Sequence, residues 1–281
     1  MSSSANSVAL VEQITPPTFE HFQRDYALKG VPVVIRGAIE HWKARTHWNF
    51  EYLASKAGSV SIGVTKSNAN ALPSPDIEPN IKFEKLRIDA YIASLMQENK
   101  NVSANTSIPL TTIPGLAEDI EVPSYIDRAA LHAAYIWIAS SNALTRLHYD
   151  PYHNLYACIS GRKKVILIAP KFLPQVYPHP WHSKYSHHSR VDIDNPDLTR
   201  FPRFAEVTRL ETTLEPGDML FIPIDWWHQV YGLDNSIVVN LFWHASLRQF
   251  VSYPQLHKFR YLKSILLTRL IGAVKAHSRR R

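Results

Sequence analysis

The sequence predicts a mainly β protein of the sandwich or jelly-roll kind, with mixed helices and strands added at its front and a helix at its end. The first observation is the series of short apolar segments from residue 133 onward, AAYIWIAS, LYACIS, VILIAP, MLFIP and VVNLFW, separated by SNA, DPYH, SGR, EPGD and GLDNS. Short strands joined by turn-forming residues make sandwiches and jelly rolls. The second is the lack of any repeat at a fixed period, which argues against a solenoid or propeller. The third is size: 281 residues with 45% apolar and 20% charged side chains suffice for one large core.

Taken in order, residues 1–15 are Ser-rich and polar and are expected to be loose. PPTFEHFQRDYALKG brings Phe19, Phe22, Tyr26 and Leu28 to near-helical spacing, with Thr18 as N-cap and Gly30 as stop. VPVVIRG reads as a buried strand, HWNFEYLASKAG as a helix ended by Gly58, and SVSIGVTKS as a strand by its alternation. The Pro-rich patch around 72–80 is a loop. IDAYIASLMQENK predicts a helix capped by Asp89 that buries Tyr91, Ile92, Leu95 and Met96. NVSANTSI reads as a strand and IPGLAEDIEVPSYI as a short helix and turn leading into the barrel.

The connection at 171–208 is long for an ordinary loop and reads as a substrate-facing lid. Its His179, His182, His187 and His188 lack a carboxylate at ligand spacing, which weighs against a second metal site. Near the end, Leu256, Phe259, Leu262, Leu266, Leu270 and Val274 form one apolar stripe. The segment 251–281 is therefore a helix, packed on its own barrel or pairing two copies, followed by a basic tail.

Composition narrows the class further. No long uninterrupted apolar run is present, so no membrane span is expected, and MSSSANSVALVEQI lacks the pattern of an export signal. Cys158, the single cysteine, has no internal disulfide partner and reads as a buried, inert thiol, which suits the cytoplasm or nucleus. A net charge of +7 and a pI near 9.4 invite a nucleic-acid partner. Several of those charges lie in the terminal HSRRR, which reads first as a solvated tail, with a nuclear-import patch or a weak phosphate binder as alternatives.

The candidate chemistry is concentrated at HYD. In an extended strand, His148 and Asp150 point the same way and can grip one ion, while Tyr149 points away. Alone the pattern is weak, because chance pairs are expected among 14 His and 24 acidic residues. Its position beside short strands strengthens it. A second imidazole is best supplied by His228 of GDMLFIPIDWWHQVYG, again beside an apolar strand. Two imidazoles and one carboxylate leave coordination positions open, the donor set of non-haem Fe(II) oxygenases.

LTRLHYDPYHNLYACISGRKKVILIAP, VDIDNPDLTRFPRF, LEPGDMLFIPIDWWHQV and VVNLFW, with a weaker match in GVPVVIRGAIEHW, resemble the JmjC (cupin-like) family of Fe(II) and 2-oxoglutarate oxygenases. The resemblance implies a double-stranded β-helix, with a catalytic core at about 130–245 inside a single domain at 16–250. It implies Fe(II) held by His148, Asp150 and His228, with 2-oxoglutarate and O2 as co-substrates. Lys163 matches the family's cation for the distal carboxylate, Thr145 the hydroxyl beside it, and Asn154 and Asn240 the amides of the co-substrate pocket. Lys164 faces the other way. No tyrosine occurs around Ser103 to Thr106, where many relatives supply one, so that contact is missing or comes from Tyr135 or Tyr125. Trp137, Trp226 and Trp227 are candidates for the substrate pocket or for plain core.

The implied reaction couples decarboxylation of 2-oxoglutarate to insertion of oxygen into a substrate C–H bond. A protein side chain is the first candidate substrate. VDIDNPDLTRFPRF and VNLFW also resemble the tRNA wybutosine hydroxylase, and a basic tail suits RNA. Demethylation of a histone lysine is a further alternative. A catalytically silent cupin scaffold is the last, weakened by the charged cluster that a scaffold has no need to bury.

Overall fold

A computed structural model describes residues 8–68, 82–97, 102–183 and 185–253. Residues 1–7, the Pro-rich patch at 72–80, and the stripe and basic tail beyond 253 lie outside them.

The front of the chain runs β1 (Val8–Leu10), β2 (Gln13–Ile14), α1 (Phe19–Phe22), β3 (Val33–Ile35), α2 (Lys43–His47), α3 (Phe50–Ala57), β4 (Ser61–Asn68), β5 (Lys82–Arg87), α4 (Ile88–Met96) and β6 (Val102–Pro109). The barrel strands follow: β7 (Leu131–Ala139), β8 (Leu144–Tyr149), β9 (His153–Ser160), β10 (Lys163–Ile168), β11 (Arg209–Leu214), β12 (Met219–Ile222), β13 (Trp227–Gly232) and β14 (Ser236–Trp243), then α5 (Leu247–Ser252). They form a five-stranded sheet, β1-β11-β10-β13-β8, and a nine-stranded sheet, β2-β3-β12-β9-β14-β7-β6-β4-β5. The fold is a mainly β jelly roll with helices at its front.

Period-two alternation sorts the side chains into three layers. Val165, Leu167, Leu214 and Val230 of the small sheet meet Tyr156, Cys158, Leu220, Ile222 and Val238 of the large one in the barrel interior. The odd-numbered residues of β9 and β14, Leu155, Ala157, Ile237, Val239 and Leu241, pack instead against the front helices through Phe22, Trp42, Leu53 and Tyr91. On the outer face of the small sheet, Leu147, Ile166, Ile168 and Trp227 are covered by Val176, Val191, Ile193, Phe201 and Phe204 of the 171–208 insert. Strands covered on both faces read as unbroken apolar runs, which is why VILI and MLFI show no polar alternation.

Several front expectations need correction. Residues 8–14 are not loose: β1 pairs in parallel with β11 and β2 with β3, and Val11 between them is buried. The helix expected from His47 to Gly58 starts later, because Trp48 is extended and Asn49 caps α3 by accepting from Tyr52 N at 2.8 Å. Asp89 is not the cap of α4. Arg87 holds that position, and Asp89 lies in the first turn, ion-paired to it. Met96 is 60% exposed, while Tyr91, Ile92 and Leu95 take the core face. Thr18 does cap α1, accepting from His21 N at 3.2 Å, and Gly30 has the positive φ of a chain reversal. Cys158 is buried, its thiol donating to Gly161 O.

His153, fully buried beneath the barrel, accepts from Ile224 N at 3.1 Å through Nδ1, which requires a neutral ring. Burial lowers it from the ordinary 6.5 to about 3. The unfolded chain binds a proton there that the folded chain refuses, so stability is complete above 6.5 and is lost as pH falls toward about 3. Within that window this group costs up to ~1.4 kcal/mol per pH unit. His153→Gln, whose amide oxygen can take the same N–H, should flatten the acid limb of the urea-unfolding free energy by one proton. An unaltered limb would refute the assignment.

Candidate active site

β8 and β13 run antiparallel with His148 directly opposite His228, ring centroids 4.1 Å apart. Asp150 follows just beyond the end of β8 and turns back to the same face, its Oδ2 3.6 Å from His228 Nε2. Ligand atoms of His148, Asp150 and His228 all lie within 4.8 Å of one another, the one such group among the described residues. The orientation of each ring is set by its own strand. His148 Nδ1 is 2.7 Å from Arg146 O and His228 Nδ1 is 2.9 Å from Trp226 O. A carbonyl only accepts, so Nδ1 carries the hydrogen in both rings and Nε2 keeps its lone pair for an ion. Burial, reinforced by the neighbouring His228, holds His148 well below the ordinary imidazole range, so its ring is neutral at pH 7.

The triad opens into a cavity of about 140 Å³ between the sheets, lined also by Thr145, Asn154, Lys163, Asn240 and Trp137. Alternation explains all of these but Thr145, which stands three residues before His148 and reaches the same face through the register shift between β8 and β13. On β10, Lys163 shares the inner face with Val165 and Leu167, while Lys164 points outward and pairs with Glu211 at 2.8 Å. Leu167 stands beside His228 in the register, four residues along from Lys163. That is about 13 Å of strand, a span that a lysine side chain and a short diacid can bridge together.

Lys163 is 4% exposed and has no ion-pair partner among the described residues. Burial lowers its ammonium to about 8. Beside it in the cavity, Trp137 Nε1, Asn154 Oδ1 and Asn240 Oδ1 are buried without hydrogen-bond partners. Buried polar groups are normally paired. An unpaired buried cation at one part of the cavity and an open His–Asp–His face at another fit a carboxylate-bearing chelator of a hard divalent ion. The donor set suits Fe(II), and the Lys163 ammonium and the Trp137 indole N–H are the donors that suit a carboxylate of 2-oxoglutarate, whereas the two Asn Oδ1 atoms can only accept.

Not every expected residue reaches this cavity. Trp227 points to the outer face, edge-on to Tyr149 at 4.9 Å, because it alternates with the inward His228. The Trp226 indole donates to Gly30 O at 2.9 Å and packs against the barrel interior without lining the cavity. Tyr125 is buried under the large sheet with its hydroxyl on Met219 Sδ. Tyr135 lies one inward position beyond Trp137 and packs edge-on to Phe242 at 6.1 Å, outside the cavity lining. The tyrosine that does line the cavity is Tyr156. Its signal was available: it follows Asn154 by two on the same strand face, as Phe242 follows Asn240. Asn105 also lines the cavity, delivered by β6 through its pairing with Ala139.

The 171–208 insert completes the surroundings. β8 is the last strand of its sheet, and its free edge is taken by the insert: Tyr149 N donates to His187 O at 3.0 Å and Ser189 N to Leu147 O at 2.9 Å. The His188 ring consequently stacks on His148 at 5.4 Å. A buried apolar face fastens the insert to the small sheet, so it is a built wall rather than a free flap.

Barrel, triad and cavity together define a jelly-roll protein equipped to hold a divalent metal beside a buried cation. A cupin-like domain model matches residues 19–249. The chain is 35% identical over 242 residues to lysine-specific demethylase JMJ30 of Arabidopsis thaliana, covering 83% of this chain and 54% of that protein. Lysine-specific demethylase 8 of Xenopus tropicalis is 30% identical over 85% of this chain and 54% of its own length. The tRNA wybutosine-synthesizing protein 5 of Gallus gallus is 29% identical over 80% of this chain and 74% of its own. The chain belongs to the cupin-like JmjC family of Fe(II)/2-oxoglutarate oxygenases. It spans about half the length of the demethylases it matches. None of its described helices is long and apolar enough to cross a membrane.

Proposed function

We propose that this chain is an oxygenase that hydroxylates a protein side chain, with His148, Asp150 and His228 as Fe(II) ligands and Lys163, Thr145, Asn154 and Asn240 around 2-oxoglutarate. The observation that carries the reading is the buried, unpaired Lys163 ammonium in the same cavity as the open triad. When bound, Fe(II) with 2-oxoglutarate supplies dioxygen activation coupled to loss of carbon dioxide and formation of succinate. The residues of this chain do the rest. The two carbonyl-bound imidazoles and Asp150 would hold the ion, Lys163 would fix the distal carboxylate, and the apolar interior around Val230 and Phe242 would keep water out.

A substrate would approach the triad through the open side of this cavity. At the rim, Tyr152 stacks on His132 at 5.0 Å and meets His244 at 5.0 Å, a ring surface on which a substrate segment can lie. Tyr152→Ala should raise the substrate KM about 2- to 10-fold, as loss of one aromatic contact does, and leave 2-oxoglutarate affinity unchanged. A change in the latter instead would sink the rim reading.

A tRNA substrate is the second reading, favoured by the similarity to the wybutosine-synthesizing protein and the +7 charge. Removal of a methyl from lysine is a third, favoured by the relatives named as demethylases. The deciding experiment compares proteins and tRNA from cells with and without the gene by mass spectrometry. The hydroxylase reading requires a protein modification of about 16 Da, one added oxygen, to be lost. A change confined to tRNA or to lysine methylation would replace it. Absence of succinate release from every candidate, together with absence of metal uptake, would leave a silent scaffold. The cytoplasm or nucleus is the compartment these substrates imply, and pairing of two copies through 251–281 is tested by light scattering of chains with and without that segment.

A further inference from the structure

The ladder between β8 and β13 is irregular beside the ligands. His228 lies opposite His148, but Val230 lies opposite Thr145. Gln229 alone therefore faces both Arg146 and Leu147, which makes a β-bulge on the ligand-bearing strand. A bulge leaves a backbone group without its ladder partner. Here that group is the Leu147 N–H, which donates instead to Gln229 Oε1 at 3.0 Å. The other half of the amide is also engaged. Gln229 Nε2 donates to the Tyr231 hydroxyl at 2.6 Å and to Asp194 Oδ2 at 3.3 Å, and that hydroxyl donates to Asp194 Oδ1 at 2.5 Å. Gln229 is 2% exposed, so no bulk water is at hand to replace these bonds.

The bulge matters because of what it carries. Arg146 O, within it, accepts the Nδ1 hydrogen of His148 at 2.7 Å, and that bond aims Nε2 at Asp150 and His228. A peptide free to rock would swing the ring with it. We propose that Gln229 is a positioning residue of the metal centre: its carboxamide splints the bulge from which Arg146 O orients His148, and it ties that splint to Asp194 of the insert. The inference rests on the triad being a metal site. Outer partners of metal-bound histidines set ring orientation, and their loss weakens metal binding roughly 10- to 100-fold.

The test titrates the full metal-free chain with Co(II) alone and reads the visible absorption bands, for the natural sequence, Gln229→Met and Tyr231→Phe, with thermal unfolding measured alongside. Methionine keeps length and volume and removes both halves of the amide. Gln229→Met should weaken Co(II) binding roughly 10- to 100-fold and move the bands. Tyr231→Phe, which spares the bond to Leu147, should show a smaller loss in the same direction. A purely structural role would lower the unfolding temperature and leave the Co(II) affinity and spectrum of the folded protein intact, and that result overturns the proposal. Should Gln229→Met not fold, an unaltered affinity and spectrum in Tyr231→Phe overturns it and a weakened one supports it. Failure of the natural sequence to bind Co(II) removes the metal centre itself, an outcome seen before any variant is compared.

Discussion

Lys163→Met is expected to make the ligand-free protein more stable and to disable it. The ammonium is buried without a counter-ion and its pKa falls from 10.5 to about 8, so holding it charged at neutral pH already opposes folding. Exchange of such a charge for an apolar side chain of similar size is expected to stabilise by about 1–4 kcal/mol. The same exchange removes the cation for the distal carboxylate, at a cost of about 2–5 kcal/mol or roughly 30- to 4000-fold in 2-oxoglutarate affinity. Urea unfolding without ligands and calorimetric titration with 2-oxoglutarate and Mn(II) check the two signs separately. Reduced stability with unchanged affinity would mean that the lysine is structural. A related dependence follows for the natural protein: above about pH 8 the unliganded ammonium is increasingly neutral, so 2-oxoglutarate affinity should decline there.

His148→Ala should remove succinate formation altogether and weaken divalent-metal binding by more than the roughly 100-fold that loss of an outer partner gives. His148 contributes one of two imidazoles, and the remaining pair, Asp150 and His228, cannot define an ion's geometry by themselves. His188 is the one control this site demands. Its ring lies 5.4 Å from His148 but is not part of the His148–Asp150–His228 group, so the double replacement with Ala should be no worse than His148→Ala alone. Residual metal-dependent turnover in His148→Ala that vanishes in the double variant would show that the insert supplies a ligand.

Much of this site is legible in the sequence because strand alternation holds along most of the barrel strands, the bulge on β8 being the exception at this site. His148 and Asp150 share a face, Lys163 and Lys164 do not, and Asn154 and Asn240 sit one position out of phase with the apolar residues that face the front helices. The same rule removes Trp227 from the cavity when applied across WWHQV, and adds Tyr156 and Phe242 when applied from Asn154 and Asn240. Other features leave no local trace. Asn105 reaches the cavity only because β6 pairs with β7, a contact between segments that share no pattern. The bulge opposite Gln229 depends on the register of two distant strands. Val8–Leu10 follows a Ser-rich start, and with its three side chains exposed its order comes from backbone pairing to β11, about 200 residues away in the sequence.

The strand that carries His148 and leads into Asp150 sits at the margin of its sheet, with its outer hydrogen bonds held by residues 187–189. A margin can unzip one bond at a time, at far less free energy than melting a barrel. The lifetime of a captured ion is then governed by fraying along this seam, so hydrogen exchange at Tyr149 and Ser189 should track the rate at which the ion escapes to a chelator while the barrel amides stay protected.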